Sequence, residues 1–69
     1  VRFADIRKNL ESHGWELKRI KGSHDVFGGP GRPIVVIPVH NGKLKAVYAR
    51  VVENAIQAWL ASQSQGGRD

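Results

Sequence analysis

Three histidines and no cysteine define the chemistry open to this 69-residue chain. Disulfide frameworks, thiolate metal sites and cysteine nucleophiles are excluded at once. His24 has the richest surroundings of the three, in the run Lys21-Gly22-Ser23-His24. An imidazole, with an ordinary pKa of about 6.5, can both take and give a proton near neutrality. A nearby lysine can hold a phosphate, and a glycine lets the backbone approach it closely. That is the minimum equipment for attack of a ribose 2′-hydroxyl on its own phosphodiester, which requires proton transfer and charge neutralisation but no metal. The same run also fits a polar turn that happens to contain a histidine, and spacing leaves both readings open. His13 ends an apolar-periodic segment, where a structural or merely exposed role is expected. His40 follows Pro38 in a turn, and the sequence does not set its distance from His24. A metal site built from His24, Asp25 and His40 matches no compact ligand motif. Gly28-Gly29-Pro30-Gly31 opens no helix and lacks the Lys-Ser/Thr ending of a phosphate loop, and Ser23 lacks the elbow of a hydrolase nucleophile.

The elements that must position these groups follow from hydrophobic periodicity. Phe3, Ile6 and Leu10 form one stripe, which predicts an amphipathic helix over Arg2–His13, closed by Gly14. Alternation of Trp15 and Leu17 with Glu16 and Lys18 predicts a half-buried strand to Ile20, and a second short strand runs from His24 to Phe27. Gly28–Pro33 reads as a hairpin loop. The four β-branched residues Ile34-Val35-Val36-Ile37 predict a strand apolar on both sides, either central or covered by a partner. After Pro38 the segment Val39–Gly42 turns the chain. A second amphipathic helix is expected over Val47–Ala61, with Val47, Val51, Val52, Ala55, Ile56, Trp59 and Leu60 as its apolar set and Trp59 in the core. Residues 62–69 read as a flexible tail. The expected fold is a two-layer α+β sandwich in the order α-β-β-β-α. It has a three-stranded antiparallel sheet, both helices on one of its faces, and a single domain over residues 1–61.

Size and charge narrow the function further. A chain this short has a small core and little room for a deep substrate cavity. It carries 11 Lys+Arg against 6 Asp+Glu, a formal net charge of +5. Seven of the basic residues (Lys18, Arg19, Lys21, Arg32, Lys43, Lys45 and Arg50) lie in the central segment, opposed there only by Asp25. The positive field therefore belongs to the segment that holds His24 and His40, and a polyanion is the expected partner. A solvated surface that keeps a small domain soluble is the plainer alternative. No apolar run approaches the roughly 18 residues of a membrane span, and the opening residues lack the layout of a signal peptide. A reducing, cytoplasmic setting is expected.

Two stretches carry a family resemblance. Gly14-Trp15-Glu16-Leu17-Lys18-Arg19-Ile20-Lys21-Gly22-Ser23-His24 resembles the strand and Gly-Ser-His element of HicA-type toxins, and Ile34-Val35-Val36-Ile37-Pro38-Val39-His40 resembles their apolar strand ending in Pro-x-His. The similarity extends through Leu44-Lys45 into the closing helix. It implies a double-stranded-RNA-binding-domain-like fold, the same α-β-β-β-α order. It also implies mRNA interferase activity and a small HicB-type antitoxin that masks the site. The catalytic histidine of the family carries over to His24. Two departures matter. The family often has Pro-Gly-Thr where this chain has Ala46-Val47-Tyr48, so contacts there are not carried over. Asp25 beside the histidine would favour a protonated imidazole but repel phosphate.

The expectation is thus a metal-independent endoribonuclease without cofactor, with His24 as general acid and base. Lys18, Arg19, Lys21, Ser23, Lys43, Lys45 and Arg50 would bind RNA, and Lys21 would also offset charge at the reacting phosphate. A catalytically silent RNA-binding or protein-binding module of the same fold is the alternative.

Overall fold

A computed structural model describes residues 1–66, the side chains of 64–66 excepted. The elements are α1 (Phe3–Ser12), β1 (Glu16–Lys21), β2 (His24–Gly29), β3 (Arg32–Pro38) and α2 (Ala46–Gly66). This is the α-β-β-β-α order, and the three strands form one antiparallel sheet with β2 in the middle.

Helix α1 ends in a Schellman arrangement that the Gly14-Trp15 pair makes possible. Gly14 takes φ 93°. Its N–H donates to the Glu11 carbonyl, and the Trp15 N–H donates to that of Leu10 at 3.0 Å. The apolar contact that accompanies such a cap is supplied by Leu10 and Trp15, both fully buried. The first hairpin turns on Gly22-Ser23 alone. Gly22 has φ 61° while Ser23 stays at negative φ, the arrangement of a type II′ turn. The second hairpin turns on Pro30-Gly31, with Gly31 at φ 69° as a type II turn requires. The loop expected over Gly28–Pro33 is therefore shorter. Gly28 and Gly29 belong to β2, Arg32 and Pro33 to β3, and a register irregularity beside the turn absorbs the mismatch.

The core lies on one side of the sheet. Phe27, Val35 and Ile37 face Leu10 of α1 and Val52 and Ile56 of α2, with Trp15 and Leu44 closing the ends. Strand β3 departs from expectation in two ways. It is an edge strand, and its apolar run is not shielded on both sides, for Ile34 is 73% and Val36 49% exposed. Helix α2 also differs. Val52 and Ile56 are buried and Trp59 packs partly on the core, but Val47, Val51 and Leu60 are exposed. The helix continues through residues 62–66, which read as tail in the sequence, while residues 67–69 of that tail lie outside the described residues. No helix among the described residues is long and apolar enough to cross a membrane.

Candidate nucleic-acid interface

His24 is the first residue of the central strand, paired with Lys21 across β1 and with Pro38 across β3. Side chains alternate along a strand, so its neighbours divide between two faces. Phe27 and Asp25 point into the helix-covered side, where Asp25 is only 7% exposed. His24 and Val26 point to the open side. Asp25 is therefore turned away from His24, and its carboxylate neither faces the imidazole nor meets a phosphate placed there. The same geometry separates it from any metal site with His24.

Three of the seven central basic residues share the open face. Lys21 sits directly opposite His24, and Arg19 opposite Val26. Lys18 is the extra residue of a bulge in β1 between Leu17 and Arg19. It lies over Gly28, where an added Cβ would sit 3.7 Å from the Lys18 Cγ and 3.9 Å from Ile34 Cγ1. The Lys18 Nζ is partly engaged, 3.1 Å from the Glu16 carboxylate. The open face thus carries Lys18, Arg19, Lys21 and His24 beside exposed Ile34 and Val36, a basic strip next to an apolar one.

The remaining residues are placed differently. Ser23 stands in the turn, half-buried, and its carbonyl accepts the Val39 N–H at 2.8 Å, which extends the β2–β3 ladder one step past His24. His40 consequently comes to the same end of the sheet as His24. Lys43 is opposite His40 across the Asn41-Gly42 turn, and Lys45 immediately precedes α2. Arg50 is exposed on α2, in the helical layer behind the sheet, and does not join the His24 face. His13 caps α1, its Nδ1 2.8 Å from the Asn9 carbonyl, in keeping with a structural role.

Arg32 is the residue whose task the sequence did not reveal. Its Nε donates to the His13 carbonyl at 2.6 Å and a terminal nitrogen to that of Pro30 at 2.8 Å. Its guanidinium lies 4.1 Å from the Trp59 ring centre and 5.6 Å from that of Trp15. The two indoles meet edge to face at 5.7 Å. A Cβ on Gly14 would collide with this guanidinium, and one on Gly29 would lie 2.6 Å from the Gly14 carbonyl oxygen. Arg32 is a latch joining the end of α1, the second hairpin and α2. Its guanidinium is engaged by two carbonyls and the Trp59 ring, apart from the strip of Lys18, Arg19 and Lys21.

The site is thus a histidine and a basic strip on the uncovered sheet face of a small α+β domain. The family model described as HicA toxin of bacterial toxin-antitoxin matches residues 3–53, well over half of the chain. The chain belongs to this family and is a toxin of a toxin–antitoxin system, with an antitoxin as its partner. A search of curated proteins finds no match.

Proposed function

We propose that this toxin is an endoribonuclease, an mRNA interferase, that cleaves through the substrate's own 2′-hydroxyl with His24 as the catalytic residue. The observation that carries the reading is the cross-strand pairing of His24 with Lys21 on the exposed face. The His24 imidazole takes the 2′-hydroxyl proton as the 2′-oxygen bonds to phosphorus. The P–O5′ bond then breaks, and the imidazolium returns the proton to the leaving 5′-oxygen. Lys21 offsets the additional negative charge of the five-coordinate phosphorus. Arg19 and Lys18 extend the cationic track for the backbone, with Ser23 at the turn and Lys43 and Lys45 at the sheet end. Arg50, in the other layer, contributes only to the general field. The reaction calls for no metal or organic cofactor.

The exposed Ile34 and Val36 support an interface that a HicB-type antitoxin covers, masking His24 in the same act. They equally suit a silent module whose face only binds. Purified wild type and His24→Ala, incubated with messenger RNA in EDTA, separate the two. Cleavage by the wild type alone, leaving 5′-hydroxyl and 2′,3′-cyclic phosphate ends, is expected. Equal cleavage by both proteins, or none by either, removes the ribonuclease reading.

A further inference from the structure

Where β3 meets the start of α2, the sheet end opens into a groove of about 420 Å³. Its walls are Val1, Pro38, Leu44 and Tyr48, and its polar rim is His40, Lys43 and Lys45. We infer that this groove holds one unpaired nucleotide of the RNA, base against Tyr48 and phosphate at Lys43 and Lys45, beside the phosphodiester that His24 acts on. The inference deepens the ribonuclease reading and rests on it.

Four observations lead there. The volume lies within the range of small-ligand sites, roughly 300–1,000 Å³, enough for a single nucleotide but not for a stacked duplex. The chemistry of the walls is divided as a nucleotide is divided. A flat aromatic with apolar neighbours forms one part and two ammonium groups the other, and among the described residues no carboxylate lines the groove. The rim is built rather than loose. Asn41 and Gly42, at φ 52° and 72°, form a type I′ turn. It sets His40 and Lys43 in a reciprocal pair of backbone hydrogen bonds, each 2.9 Å. The Phe3 N–H ties Gly42 down at 2.8 Å. Finally, Pro38 lines the groove and pairs with His24 across β2 and β3, which sets the groove at the His24 end of the sheet.

An A-form duplex keeps its bases stacked, whereas an unpaired base can be turned out onto an aromatic ring. The groove therefore makes this face selective for single-stranded RNA. His40 stands at the rim of this groove.

Binding is measured on His24→Ala, which keeps the substrate intact. An unstructured fluorescent oligoribonucleotide is compared with the same strand in a duplex, and Lys45→Ala and Tyr48→Leu are each added to the parent. Each addition is expected to weaken single-strand binding by about tenfold and duplex binding little. Lys45 is exposed, so its replacement leaves the fold unburdened if Tyr48→Leu does not. In parallel, amide NMR shifts are followed with adenosine monophosphate, uridine monophosphate and inorganic phosphate. Shifts confined to residues 38–48, saturating at lower concentration for the nucleotides than for phosphate, are expected. Equal response to phosphate reduces the groove to an anion site and overturns the proposal. Unchanged oligonucleotide binding in both variants, with wild-type cleavage intact, overturns the groove alone. RNA neither bound nor cleaved removes the ribonuclease reading with it.

Discussion

The two faces of one small sheet are made from the same strands, yet they answer to different physics. On β3, Val35 and Ile37 are buried beneath the helical layer, while Ile34 and Val36, of the same residue types, stand in solvent. On β2, Phe27 meets the Phe3 ring at 6.1 Å, while His24, three residues earlier and so on the opposite face, has no covering element. Burial on one side holds the fold and sets the pitch of the sheet. The other side inherits fixed positions for Lys18, Arg19, Lys21 and His24 at no cost in core volume. Stability and chemistry are thus divided by strand parity, and substitutions should divide the same way.

The largest effect on stability belongs to the covered face. Phe27→Ala should destabilise the protein by about 3–5 kcal/mol, enough to leave so small a domain largely unfolded in a thermal or urea melt. His24→Ala, on the same strand, should shift stability by less than about 0.5 kcal/mol and lower RNA cleavage by roughly a hundredfold or more. If the two variants exchange these phenotypes, the division between faces is wrong. Arg32→Ala ranks next, with a loss of about 2 kcal/mol from its carbonyl hydrogen bonds and its stacking on Trp59. Arg32→Lys should recover little, because an ammonium lacks the planar fork. The cationic strip offers a finer test. Lys21→Ala should reduce the salt dependence of RNA affinity by about 0.7 in log–log slope, as one lost phosphate contact does. Lys18→Ala should reduce it less, since Glu16 already engages that ammonium. The smallest change expected is in the melting of Ile34→Ser, within about 0.5 kcal/mol of wild type.

Much of this division is legible from sequence, for physical reasons that differ element by element. The stripe Phe3-Ile6-Leu10 and the Gly14 stop give α1 because helix periodicity and a left-handed cap are local properties. The Gly-Ser-His run locates the hairpin because a two-residue turn needs its glycine. The open side of β3 was not legible. Four β-branched residues have no polar alternate to mark a face, so local pattern cannot distinguish a covered strand from a half-exposed edge. Asp25 is a related case, since period-two reasoning already sets it opposite in direction to His24, whatever their adjacency in sequence. Arg32 escaped for another reason. Its partners come from α1, α2 and the neighbouring turn, and a cation enclosed by two indoles leaves no periodic trace. The extension of α2 to Gly66 lacks large apolar residues, so its pattern says nothing of where the helix stops. The candidate site was half visible: chemistry in the residue types, the shared face only through the register.

Strand order and chain order coincide in this sheet, and each hairpin closes over two residues. Pairing therefore begins between immediate sequence neighbours, where the loss of chain entropy on closure is least and folding is fast. The residues of the strip that bears His24 all lie in the first of these hairpins. A two-stranded hairpin is marginal by itself, so the strip becomes a fixed surface only once β3 and the helices bury the other side of the sheet.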